Sequence, residues 1–120
     1  MPHLVLEYSA NVPDTPDLHR LLRALHEALA AAGPFDLANV KSRVVRHDVF
    51  RVADGSPARA FVHLTASVLA GREPALLRRT GEDLLAALRQ GFPRAAASGT
   101  CDLTVEVREM PPALYFKSGG

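Results

Sequence analysis

Residues 15–33 read TPDLHRLLRALHEALAAAG, and residues 74–91 read PALLRRTGEDLLAALRQG. In the first stretch Leu18, Leu21, Leu22, Leu25, Leu29 and Ala32 recur at helical spacing and form one apolar stripe. Thr15 has the chemistry of an N-cap, Pro16 suits the first helical position, and Asp17 favours the positive end of the helix dipole. Gly33 and Pro34 stop the helix. The second stretch predicts a helix over Pro74–Gln90, with Leu76, Leu77, Leu84, Leu85 and Leu88 on its buried side and Gly91 ending it. Pro16 and Pro74 stand 58 residues apart, and so do Gly33 and Gly91. Shared punctuation at one spacing is the mark of an internal repeat.

Outward from the helices, each is flanked by strands. His3–Tyr8 precedes the first. Asn39–Arg46 and Val49–Ala53 follow it, as one bent strand or a pair, and Asp54-Gly55-Ser56-Pro57 has turn chemistry. Ala60–Leu69 precedes the second helix. Thr100–Glu109 follows it, with Leu103, Val105 and Val107 alternating against Thr104, Glu106 and Arg108. In the tail from Met110 to Gly120, Pro111-Pro112 opposes regular structure. The order predicts an α+β fold: two β-α-β units, about 2–58 and 60–110, within a single domain spanning 1–120. Right-handed crossovers then give a four-stranded mixed sheet with two helices on one face. Val5 beside Leu4 and Leu6, Val45 beside Val44 and Phe61 beside Val62 put apolar side chains on both parities. A sheet apolar on both faces needs a second layer, so further copies of the chain are expected to cover the open face in a symmetric homo-oligomer.

The totals narrow the function. A chain of 120 residues with 48% hydrophobic and 22% charged residues is ordinary for one globular domain. A net charge of +1 argues against a general binder of nucleic acid or membrane surfaces. The single cysteine, Cys101, cannot close an internal disulfide. With neither a signal-peptide pattern nor a membrane-length apolar run, the expectation is a cytoplasmic protein. The five histidines form no metal-binding spacing such as H-E-x-x-H, and there is no phosphate-binding glycine motif, so neither metal nor cofactor is expected.

Chemistry concentrates at the opening MPHLVLEYS. Pro2 sits between the initiator methionine and a strand. Removal of Met1 turns it into a free secondary amine carried on a rigid element. Such an amine serves as a general base when its pKa lies near the working pH, and apolar burial and nearby cations both lower that pKa. Val5, Leu6 and Phe116 are candidates for the apolar walls. Lys41 and Arg43, two apart on a strand, face one side and can hold carboxylates. Arg72 follows the small Ala70-Gly71 loop just before the second helix.

Four stretches carry a resemblance: PHLVLEYSAN at the start, VKSRVVRHDVFRVADG in the middle, AFVHLT with LAGR after it, and LYFK near the end. In this order they resemble the tautomerase superfamily, and within it the 5-carboxymethyl-2-hydroxymuconate isomerase branch. The resemblance implies Pro2 as general acid/base, Arg72 as the arginine that holds or polarises substrate, no cofactor and a homotrimer. The substrate class is a small unsaturated oxo acid with several carboxylates, from the homoprotocatechuate route. The branch's I-R-S-R stretch reads Val40-Lys41-Ser42-Arg43 here, so Lys41 keeps the charge of the first arginine without its fork, and Arg43 can share its role. The branch's F-K-Q-N-N tail becomes Phe116-Lys117-Ser118-Gly119-Gly120. The same β-α-β-β-α-β order also describes ferredoxin-like modules that bind small ligands and regulate other proteins, and a tautomerase-like scaffold without activity is a third possibility. A decarboxylase or dehalogenase on this scaffold has the same sequence pattern.

Overall fold

The structure, a computed structural model, describes residues 2–119. Its main elements are β1 (His3–Ser9), α1 (Leu18–Ala32), β2 (Lys41–His47), β3 (Ala60–Leu69), α2 (Pro74–Gly91), α3 (Pro93–Ser98) and β4 (Cys101–Met110). The strands form one mixed sheet in the order β2-β1-β3-β4. β1 runs parallel to β2 and β3 parallel to β4, while β1 and β3 meet antiparallel at the centre. Each β-α-β unit thus joins two directly adjacent strands. A ferredoxin-like module splits its β-α-β units with an inserted strand, so this topology speaks against the regulatory-module alternative.

Strand alternation assigns the two sheet faces. Leu4 and Leu6 of β1 pair with Ala66 and Leu64 of β3, and all four are fully buried. With Val62 and Val68 they meet Leu21, Leu25 and Leu29 of α1 and Leu84 and Leu88 of α2 in one core. The opposite parity is more polar than the sequence suggests. Val5, Val45 and Phe61 are there, but so are a His47–Glu7 pair at 2.9 Å, a His63–Thr104 hydrogen bond at 2.7 Å and a Glu106–Arg108 ion pair at 3.1 Å. The open face is a polar lattice with apolar gaps.

Local differences from the sequence reading have physical causes. α1 is capped by Asp17, whose side chain accepts from the Arg20 N–H, so Thr15 and Pro16 lie before the helix. A carboxylate is the better cap when it reaches the third amide of the first turn. Residues 49–53 form a loop, with Ala53 at φ 50° and Val49 almost fully exposed, in place of the expected strand. α2 runs through Gly91, and the chain then breaks at Phe92 and starts the short α3. Leu76, Leu77 and Leu85 are only half-buried; Thr80, Leu84 and Leu88 make the buried edge of α2. Arg79 donates to the Ala32 carbonyl at 3.1 Å and so serves the carboxyl end of α1. The tail holds one 3-10 turn, Pro112–Leu114, despite its prolines.

Candidate active site

Because β1 and β2 are parallel and β3 and β4 oppose them, one end of the sheet collects the starts of β1 and β2 and the finish of β3 and β4. Pro2 lies at this end. It is fully buried, and its carbonyl accepts from the Lys41 backbone N–H at 3.1 Å. His3 pairs with Lys41 on one side and Ser67 on the other. One residue beyond those partners stand Val40 and Val68, both buried, so apolar side chains surround the level of Pro2. Met1 lies outside the described residues, and with it the state of the Pro2 nitrogen.

Arg72 reaches the same end. Its Nη1 donates to the carbonyl of Leu69, the last residue of β3, at 2.8 Å. Its guanidinium carbon sits 4.6 Å from the centre of the Phe35 ring. Its Nε is buried, with no hydrogen-bond partner among the described residues. Lys41 is exposed and sends its Nζ back to the Asn39 carbonyl at 3.2 Å. Arg43 lies opposite Val5, exposed on the open sheet face and one step farther from the strand end. The structure therefore gathers Pro2, Lys41 and Arg72 at one sheet end, with Arg43 on its flank. Of the three candidate apolar walls, Leu6 is fully buried in the core beneath the helices and cannot line a site. Phe116 is 85% exposed on the single chain.

Two neighbours escaped the sequence reading. Phe35, just past the Gly33-Pro34 stop, is buried and supplies the face on which Arg72 lies. Tyr115 brings the tail back across the sheet end, where its hydroxyl meets His3 Nε2 at 2.8 Å and its ring meets the imidazole edge-on at 5.9 Å. Neither contact has a spacing signal, since 112 residues separate His3 from Tyr115. The His3 pKa is lowered, first by burial and then by the charges of Lys41 and Arg43. The charges of Lys41 and Arg43 beside His3 make this end electropositive. The open clefts on the outer faces of α1 and α2 and beneath the 50–59 loop are lined by none of Pro2, Lys41, Arg43 and Arg72.

Comparison with known proteins matches residues 2–120 to the family model described as 5-carboxymethyl-2-hydroxymuconate isomerase. The chain belongs to that family. As a member of the 5-carboxymethyl-2-hydroxymuconate isomerase family it is an isomerase of the tautomerase superfamily. It is 36% identical over 117 residues to the 5-carboxymethyl-2-hydroxymuconate Delta-isomerase of Escherichia coli, covering 98% of this chain and 93% of that protein. It also resembles the crystal structure of a 5-carboxymethyl-2-hydroxymuconate isomerase from Deinococcus radiodurans R1, with 34% identity and a TM-score of 0.89 over 99% of this chain and 90% of the other. A fused 4-OT symmetric trimer shares the fold alone, at 20% identity and a TM-score of 0.77 over 98% and 93% of the two chains. No helix among the described residues is long and apolar enough to cross a membrane.

Proposed function

We propose that this family member converts 5-carboxymethyl-2-hydroxymuconate from its enol to the conjugated ketone in homoprotocatechuate degradation, with Pro2 as the general acid/base. Moving a proton from oxygen to carbon needs one group that takes it and, as the conjugate acid, returns it. The observation that carries the reading is the burial of Pro2 at the sheet end that also holds Lys41 and Arg72. An amine freed there meets apolar neighbours and positive charge. Both disfavour its protonated form and bring its pKa toward neutrality. Arg72 grips a substrate carboxylate or the oxo oxygen, and Lys41 and Arg43 hold the remaining carboxylates. No cofactor takes part in this scheme.

We further propose that 1–120 is one domain of two units, about 2–58 and 60–110, and that it works in the cytoplasm as a homotrimer. A trimeric relative of the same fold, and a Pro2 end outside the clefts of the single chain, support a site completed by a neighbouring copy. The polar lattice on the open face gives that neighbour specific groups to pair with.

The test begins with intact mass. The protein must lack Met1, because an acylated proline has no basic lone pair. Ultraviolet assay of enol-to-ketone conversion should then show a loss of about 10²-fold or more for Pro2→Ala, the range of a lost general base. A Pro2→Ala protein as fast as wild type refutes the mechanism.

A further inference from the structure

We propose that Phe35 is the positioning residue for Arg72, holding the guanidinium at the Pro2 end without neutralising it. This rests on the assignment of Arg72 to the substrate in the proposed function.

The argument starts from what a half-buried arginine normally needs. Burial of a cation is costly unless it is paired, and a carboxylate is the usual partner. Among the described residues Arg72 has no carboxylate within ion-pair distance. Its neighbours are a carbonyl, Leu69 O at 2.8 Å, and an aromatic face, Phe35 at 4.6 Å. Both partners are uncharged. They offset part of the desolvation cost through a dipole and a ring quadrupole, and leave the whole positive charge for an incoming anion. A carboxylate in place of the ring would hold the side chain as well but cancel the field that a carboxylated substrate has to feel.

The backbone explains why position 35 provides this face. Gly33 ends α1, and the Phe35 N–H turns back onto the Gly33 carbonyl at 2.8 Å, so the ring is delivered inward. Phe35 is 4% exposed and packs in the main core. The ring is therefore fixed by the core, and the flexible arginine is fixed by the ring. With Nη1 committed to Leu69 and one guanidinium face covered, few orientations remain for the donors that are left. Pre-orientation of this kind lowers the ordering cost of binding.

The test is a double-mutant cycle on the mature enzyme assayed with 5-carboxymethyl-2-hydroxymuconate. Phe35→Leu keeps an apolar side chain and removes the quadrupole. It should lower kcat/KM by about 5- to 30-fold, the worth of a partly desolvated cation–π contact, mainly through KM. In an Arg72→Ala background the same substitution should change kcat/KM by less than about 2-fold, because nothing is left to position. Phe35→Tyr should restore near wild-type kinetics. Should Phe35→Leu fail to fold, pentafluorophenylalanine at position 35 keeps the ring's shape while reversing its quadrupole, and the same loss is expected. Equal losses in the two backgrounds, or wild-type kinetics with the fluorinated ring, overturn the positioning role while leaving Arg72 as a substrate ligand. Wild-type kinetics for Arg72→Ala alone overturn the assignment of Arg72 itself and this inference with it.

Discussion

Asp14 offers a direct measurement of how the fold is closed at the sheet end opposite Pro2. Its carboxylate is almost fully buried, and it accepts from the backbone N–H of Arg94 at 2.9 Å and of Ala95 at 2.8 Å. These amides belong to the first turn of α3, whose own N-cap residue, Phe92, makes no side-chain cap. Asp14 thus caps a helix some 80 residues away in sequence. A hydrogen bond to a charged acceptor contributes about 1.5–3 kcal/mol. The Ala95 bond is buried and counts nearly in full, whereas water can replace the acceptor at the exposed Arg94. Asp14→Ala should therefore cost about 2–4 kcal/mol, a large share of the roughly 5–15 kcal/mol that holds a domain of this kind. Asp14→Asn, which keeps one acceptor oxygen, should cost about half as much. Urea denaturation at one fixed protein concentration, followed by far-ultraviolet circular dichroism, reads the difference, and amide exchange at Arg94 and Ala95 should rise in parallel. A loss below about 0.5 kcal/mol, or unchanged protection of those two amides, would refute the reasoning.

Three further outcomes are expected. The His3 imidazole, followed by NMR through a pH titration, should titrate below its ordinary value of 6.5, because burial, Lys41 and Arg43 all disfavour its charged form; the stability linked to it is then fully present above pH 6.5 and declines as pH falls through the lowered pKa. Lys41→Ala should move that titration upward, and a His3 titrating at or above 6.5 in wild type contradicts the electropositive sheet end. Tyr115→Phe removes the 2.8 Å bond to His3 at a cost of about 0.5–1.5 kcal/mol, and amide exchange across 113–116 should quicken while the sheet stays protected. Leu64→Ala, at a fully buried position paired with Leu6 at the sheet centre, should cost about 2–5 kcal/mol in the same urea experiment; a cost under 1 kcal/mol would place the core elsewhere.

The elements that the sequence made legible are those whose signal is local and repeated. Leu21, Leu25 and Leu29 recur at helical spacing and are buried, and Leu103, Val105 and Val107 alternate and face the helices. The matched prolines and glycines announced two similar β-α-β units and a four-stranded mixed sheet, but the order of its strands came only from the structure. What stayed hidden depends on contacts across the chain. Thr15 and Asp17 are both good caps, and only the path of the loop decides between them. Val49–Ala53 has strand-forming residues, but Asp54 holds the segment as a loop through Arg51 and Arg59, which a propensity argument does not see. At the candidate site, Pro2 and Arg72 could be singled out because the place of Pro2 before a strand and of Arg72 before α2 matched the family resemblance. Phe35 and Tyr115 could not, since each has an ordinary place in sequence and acquires its role from a partner dozens of residues away.

Under the proposed function, the two ends of the sheet explain why a repeated fold carries one site per chain. β1 and β3 are antiparallel, so the units begin at opposite ends. The first begins with Pro2, whose nitrogen becomes an amine once Met1 is gone. The second begins at Ala60, whose nitrogen is an internal amide donating to the Thr100 carbonyl at 3.1 Å and has no basic lone pair. The loops that lead into the helices diverge in the same sense. At the spacing that relates Pro16 to Pro74, Arg72 corresponds to Asp14. One is a cation held by uncharged partners; the other is a carboxylate already committed to the amides of α3. The aromatic residues after the two glycines part likewise, with Phe35 beneath a guanidinium and Phe92 tilted against Tyr8 at 6.1 Å. Under the proposed function a carboxylated substrate is therefore held at the first end, where the charge of Arg72 is left unpaired by a carboxylate, whereas the carboxylate at the second is occupied by α3. The second end has become structural, and its acidic group does for α3 what a substrate carboxylate would do for Arg72.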